Sequence, residues 1–370
     1  MIKIAIAEET LKDIEDKHWK WFKTHLKRTY SSKYESELSF ILNKLKITED
    51  ELEKIIKDKS FLFEIQKRIG IIKRKELPKE VKHDEPLEYL EGIQHSNKTI
   101  DRIEKFFSYD YFEKAEGKWT IYELCSKLDI NVCPYCNRQY IFTVGSAKEK
   151  RTRPEIDHFF PKALYPYLAC SLYNFIPSCH ICNHSKSDDG ENIIYPYDED
   201  FGKDFPFRVK FDKDSGESDN LVDIKNAHVF FGKNNCRGLK STINECQACM
   251  LPKVKASLKT FHLKDIYNEH KIDLKDLFDR YRNYSKPKID EITKLILSEQ
   301  LDIEIPELNK EQKKKLKEQL YKRVASTYTK RIKRTILGLP LGAEGKEYPL
   351  RKFKEDIIEQ LDETARNMKK

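Results

Sequence analysis

Apolar residues recur at helical spacing over much of the chain. Trp19, Trp21, Phe22 and Leu26 predict an early amphipathic helix, and Leu52, Ile55 and Ile56 predict another. Thr48 and Glu51 form a capping box, in which the threonine hydroxyl accepts from the Glu51 amide and the glutamate reaches back. Between Glu76 and Gly92 the pattern breaks at Pro78 and Pro86 within a mixed charge run, which reads as a connector. Helical spacing resumes at Ile100, Ile103, Phe106 and Phe107. The run from Gln139 to Val144 is rich in β-branched and aromatic residues and predicts a short strand, as do Phe207–Phe211 and His228–Phe231. From about Phe261 the pattern is helical again. Leu316, Leu320, Val324, Tyr328, Ile332 and Ile336 recur every four residues. The segment 310–336 carries eleven Lys/Arg against two Glu, which makes the opposite face a solvated or a partner-docking surface. No internal repeat is present.

These elements predict a mostly helical α+β protein. Residues 1–115 read as a helical N-terminal region, 116–260 as a domain with short strands, and 261–370 as a helical C-terminal region. The chain has 370 residues, 39% hydrophobic and 36% charged, and its 20 Phe, 19 Tyr and 3 Trp exclude a disordered class. Only 12 glycines argue against repetitive β architecture. The formal net charge of +8 is compatible with a polyanionic partner. No stretch approaches the roughly 20 apolar residues of a membrane span, so no membrane association is expected. The apolar start Met1–Ala7 is interrupted by Lys3 and lacks the features of a secretory signal. A cytoplasmic location follows as the expectation, and there nine cysteines are thiols or metal ligands rather than disulfides.

Cys133-Pro-Tyr-Cys136 and Cys179-His-Ile-Cys182 are two C-x-x-C pairs separated by 42 residues. Each tight loop supplies two thiolates, and together they satisfy the tetrahedral demand of a structural zinc ion. Between them, Asp157 and His158 stand at the end of a candidate strand, where neighbouring side chains point to opposite faces. One can then hold a metal while the other faces a phosphate. Phosphodiester hydrolysis requires that division: a base for water, and a cation for the charge on the phosphate and leaving oxygen. Carboxylate and amide oxygens suit Mg²⁺ or Mn²⁺.

Asp157-His158, Asn174 and Cys179-x-x-Cys182-Asn183-x-x-Lys186 resemble the HNH nuclease motif of the ββα-metal fold, in the variant stapled by a Cys₄ zinc. The resemblance covers about residues 133–190. It implies that His158 is the general base, that Asp157 and Asn183 hold the catalytic ion, and that Asn174 locks the loop positioning His158. Within that window, His158-Phe-Phe-Pro161-Lys162, Tyr165-Pro-Tyr-Leu168-Ala169 and Tyr173-Asn174-Phe-Ile-Pro-Ser-Cys179 are similar to the HNH subunit of Septu-type and retron-linked anti-phage systems. That likeness implies an ATPase partner. The helical flanks are the expected interface for such a partner or for a second copy of the chain.

Plainer readings stand beside these. Asn174 is also a turn residue, and Asn183 also a helix cap. Lys162 is a candidate phosphate contact, although solvated lysine is the default. Lys148, Lys150, Arg151 and Arg153 adjoin Asp157 and are the stronger candidates for nucleic-acid contact. His180 and His184 flank the site without occupying motif positions. Cys236, Cys246 and Cys249, with His228 or His262, form an incomplete second cluster, and Cys125 and Cys170 have no evident partner. The expected activity is a metal-dependent endonuclease, DNA before RNA. The alternatives are an RNA-cleaving effector and a zinc-stabilised nucleic-acid-binding module without catalysis.

Overall fold

The four-residue rhythm of the first helix organises the N-terminal half. In a computed structural model, α1 (Glu8–Tyr30) buries Ile14, His18, Phe22 and Leu26 along one stripe. The structure describes residues 1–72, 96–186, 192–211, 227–231, 247–284, 287–293, 310–339 and 348–367. These fall into two compact units. The first takes in the described residues within Met1–Phe201, Gly238–Phe261 and Lys346–Pro349; the second those within Gly202–Arg237, His262–Gly345 and Leu350–Lys370.

In the first unit α1 is followed by α2 (Tyr34–Leu45), α3 (Glu49–Lys57), α4 (Lys59–Ile69), α5 (Asn97–Phe106), α6 (Asp110–Glu113) and α7 (Ile121–Leu128). The capping box at the start of α3 is present in both directions: the Glu51 amide donates to Thr48 Oγ1 at 3.2 Å, and the Thr48 amide donates to Glu51 Oε2 at 2.9 Å. A strand–strand–helix unit follows. β1 (Glu155–His158) pairs antiparallel with β2 (Phe175–Ser178), Asp157 opposite Ile176 and His158 opposite Phe175, and α8 (His180–Lys186) leaves β2 directly. The expected strand over 139–144 does not form. Only isolated bridges, Val132 to Tyr140 and Val144 to Thr152, mark its ends, and Tyr140, Phe142 and Val144 turn to solvent.

Aromatic rings tie the helices to this unit. Phe112 stacks on Phe175 of β2 with ring centroids 5.9 Å apart, and Phe22 stacks on Phe107 at 5.9 Å. His18 joins the same core. Its Nε2 donates to the Cys170 carbonyl at 2.9 Å and its Nδ1 accepts from Trp119 Nε1 at 3.3 Å, so both ring nitrogens are used by the neutral form. Burial pushes its pKa down to about 4. The unfolded chain binds this proton near the ordinary value of about 6.5 and the folded chain does not. Stability is therefore complete above that pH and falls as pH drops toward 4, by roughly 3 kcal/mol for this group. Urea midpoints measured across that range follow the decline, and a His18→Gln variant shows a shallower one. A variant as acid-sensitive as the parent contradicts this origin.

The second unit carries the other expected strands. β3 (Phe207–Phe211) pairs antiparallel with β4 (Ala227–Phe231). Both edges are closed by side-chain amides. Gln360 accepts from the Val209 amide at 2.9 Å and donates to its carbonyl at 2.8 Å, while Asn268 does the same for Val229 at 2.7 and 3.0 Å. Phe207, Tyr267 and Phe353 form its aromatic centre. The helix Lys310–Ile336 is present, with Ile332 and Ile336 half-buried. The side chains of Leu316, Leu320, Val324 and Tyr328 lie outside the described set, as do the connector 76–92, Cys236, Cys246 and the Cys249 side chain. No helix among the described residues is long and apolar enough to cross a membrane.

Candidate active site

Local backbone geometry builds the cysteine cluster. After Cys133 the chain turns sharply: the Asn137 amide donates to the Cys133 carbonyl at 2.8 Å, and Asn137 sits in the left-handed region at φ 51°. The Cys133 amide closes the turn onto the Gln139 carbonyl at 2.9 Å. The second pair is set by the end of β2 and the first turn of α8, where the Asn183 amide donates to the Cys179 carbonyl at 3.0 Å. The four sulfurs of Cys133, Cys136, Cys179 and Cys182 are buried and lie within 4.8 Å of one another, with Cys136 and Cys179 at 4.0 Å. Thiolates about 2.3 Å from a tetrahedral ion are ~3.8 Å apart, so the set fits zinc. Cys125 and Cys170 are buried elsewhere, the Cys170 thiol donating to the Phe107 carbonyl at 3.1 Å.

Strand alternation separates Asp157 from His158. Asp157 faces α8 and the cysteine turn. Its Oδ2 accepts from the Tyr135 hydroxyl at 2.5 Å, and its Oδ1 from Lys186 Nζ at 3.1 Å. Burial pushes this carboxyl above the usual carboxylate range, and the Lys186 ammonium pulls against it. Lys186 is itself buried and also donates to the His158 carbonyl at 2.6 Å. His158 faces the other way. Its Nε2 donates to the Ala169 carbonyl at 3.0 Å, and the rings of Tyr109 and Phe175 pack against it edge-on at 4.8 and 5.4 Å. Burial pushes its pKa down to about 3, which keeps the ring neutral with the Nδ1 lone pair unprotonated.

Asn174 is fully buried and ties down the chain after β1. Its Oδ1 accepts from the Phe160 amide at 2.7 Å, and its Nδ2 donates to the carbonyls of Phe160 and Leu168, both at 3.0 Å. Those bonds fix the segment that delivers the Ala169 carbonyl to His158. Asn174→Ala strands the Phe160 amide and carbonyl, while the Leu168 carbonyl keeps the Ser171 amide, and is expected to destabilise the first unit by about 2–5 kcal/mol. Denaturant unfolding measures the loss; a midpoint within error of the parent contradicts it.

Asn183 donates from Nδ2 to Glu155 Oε2 at 2.8 Å, and His180 Nδ1 donates to Glu155 Oε1 at 2.8 Å. Partial burial acts to raise the Glu155 carboxyl, but the bonds from Asn183 and His180 outweigh it and hold it low. The two residues expected to share a divalent ion thus serve different partners, Asp157 holding Tyr135 and Lys186 and Asn183 holding Glu155. Glu155, Tyr135 and Lys186 are the participants whose contacts sequence reasoning missed. Glu155 stands two positions before Asp157 on one strand face, the signal that points to it.

The basic candidates divide into two sets. Arg153 donates to Glu113 at 3.1 Å, and Lys162 lies 3.8 Å from Asp110 and over the Tyr109 ring at 5.4 Å, so both meet α6 or its flank. Lys148, Lys150 and Arg151 are exposed on the turn between Val144 and Thr152, with Arg151 3.5 Å from Glu149. His184 stacks on His180 at 5.9 Å. His228 and His262 belong to the second unit.

The chain is similar to protein ea31 of Escherichia phage lambda, 29% identical over 121 residues, which are 31% of this chain and 36% of that protein. It therefore spans about a third of the length of this curated relative. No family model matches, and no solved structure matches.

Proposed function

We propose that this protein is an HNH-type endonuclease that hydrolyses phosphodiester bonds, with DNA as the first substrate to test. The observation that carries the reading is the unit β1–β2–α8, two antiparallel strands and a helix stapled by four cysteines and carrying Asp157, His158, Asn174 and Asn183. His158 is the base: its Nε2–H is committed to Ala169, and Nδ1 is the nitrogen left to take a proton from water. Asp157 and Asn183, now held by Lys186 and Glu155, are the residues that would hold Mg²⁺ or Mn²⁺, and the ion would supply positive charge beside the phosphate. Zinc on the four cysteines is structural.

Supercoiled plasmid, single-stranded DNA and RNA, incubated with the zinc-loaded chain and Mg²⁺ or Mn²⁺, test the proposal. Divalent-dependent cutting of one of them is expected; no cutting of any, with either ion and with the neighbouring gene product added, overturns it. The likeness of residues 158–179 to Septu-type subunits extends the proposal to an anti-phage effector acting beside an ATPase. Co-purification with that ATPase supports the extension, and a monomer that cuts at full rate unaided contradicts it. The Lys186–Asp157 pair favours a second reading, a nucleic-acid-binding module without catalysis, because it fills the carboxylate. That reading requires salt-dependent binding with no turnover.

A further inference from the structure

Two aromatic rings stand in solvent beside the site. Tyr140 and Phe142 are 51% and 47% exposed, and their rings stack with centroids 4.7 Å apart and planes 20° from parallel. Val144 and Ile181, 44% and 46% exposed, extend this apolar surface. With Arg153, Glu155 and His180, Tyr140, Phe142 and Ile181 line an open cleft of about 430 Å³. Large rings at half exposure leave apolar area in water, where covering it is favourable. No other described ring pairs with either of them within stacking distance.

The charge beside the rings names the occupant. The turn carrying Lys148, Lys150 and Arg151 begins two residues after Phe142, folded back by the Val144–Thr152 bridge, and leads to Arg153. Residues 148–153 hold four basic side chains against one acidic. Cations that track phosphates next to aromatic faces that accept bases are the two halves of a single-strand binding surface. A duplex already stacks its bases on each other and offers these rings no face. Glu155, on the same cleft, holds Asn183, so a base on the rings places its flanking phosphates on the Glu155–Asn183 side of β1.

We propose that Tyr140 and Phe142 form a stacking platform for unpaired bases, and that this protein engages single-stranded nucleic acid or a frayed strand. The inference rests on the nuclease reading for its biological sense, but its measurement needs no turnover. Fluorescence anisotropy of the zinc-loaded full chain, without added divalent ions, compares a labelled single strand with the same sequence as a duplex. The parent binds the single strand more tightly. Tyr140→Ala with Phe142→Ala weakens the single strand by about 5-fold to 100-fold and leaves the duplex within twofold. The salt slope of the single-strand complex stays the same, because no phosphate contact is lost, whereas Lys150→Ala with Arg151→Ala lowers the slope for both.

Tyr140→Leu with Phe142→Leu separates stacking from simple apolar docking. It behaves like the alanine pair if ring faces matter and like the parent if only apolar area does. Equal loss on single strand and duplex, an unchanged single-strand affinity in the alanine pair, or parent-like affinity in the leucine pair overturns the platform. Platform-dependent binding without cutting in any metal removes the nuclease reading alone. Cutting that is indifferent to both rings removes the platform alone.

Discussion

Cys179→Ser is expected to remove one equivalent of zinc per chain and to unfold the first unit at temperatures where the parent stays folded. Cys179 lies between β2 and α8 and Cys182 in the first turn of α8, while Cys133 and Cys136 belong to a turn more than forty residues earlier in the chain. A zinc ion held there would close a long loop and fix the start of α8 against the 133–136 turn. Structural zinc contributes on the order of 10 kcal/mol to small domains, more than the total stability of many. The same sulfurs without the ion crowd four thiols in a buried space and gain only their packing. Elemental analysis of parent and variant gives the zinc difference, and thermal unfolding gives the stability difference. Equal zinc content in both proteins, or unchanged unfolding after zinc is lost, contradicts a structural Cys₄ site. Because Asp157 and Asn183 flank this staple, the variant also loses any nucleic-acid turnover.

The parts of this site that were legible in the sequence are the local ones. The capping box at Thr48 is a contact between residues three apart, and both its hydrogen bonds are present. The cysteine pairs announce themselves by spacing, and strand alternation alone sends Asp157 and His158 to opposite faces. What could not be read is set by long-range packing. Lys186 reaches Asp157 across 29 positions and Tyr135 reaches it across 22, and no periodicity encodes either contact. The same holds for α6, whose Asp110 and Glu113 meet Lys162 and Arg153. The segment 139–144 has strand composition, but its bridges fall only at the ends. Its rings face solvent, with no neighbouring strand to pair along the run, so the β-favouring residues form no sheet. The N-terminal helices and the cysteine-bearing segment share one unit because rings such as Phe22, Phe107, Phe112 and Phe175 pack continuously between them.

His158→Ala is expected to lower the rate of strand cleavage by about 10²–10⁴-fold, the usual contribution of a positioned acid or base. The ring is neutral because burial depresses its pKa, and its tautomer is fixed by the bond to Ala169. Alanine removes the proton acceptor. It also leaves the Ala169 carbonyl without that donor and opens a space beside Tyr109 and Phe175, so a moderate loss of stability accompanies it. A His158→Gln variant, which can still donate to that carbonyl, recovers stability without recovering the rate. Zinc content and single-strand affinity stay at parental values in both variants, since neither the cysteines nor the Tyr140–Phe142 rings are touched.

The most direct measurement is the single-turnover cleavage rate of the parent and of His158→Gln, on the same labelled strand, at saturating protein and with Mg²⁺ or Mn²⁺. An HNH-type nuclease with His158 as its base gives divalent-dependent cutting by the parent and a drop of at least about 100-fold in the folded, zinc-loaded variant. Equal rates in the two proteins, or no cutting by a parent that binds the strand, contradict it.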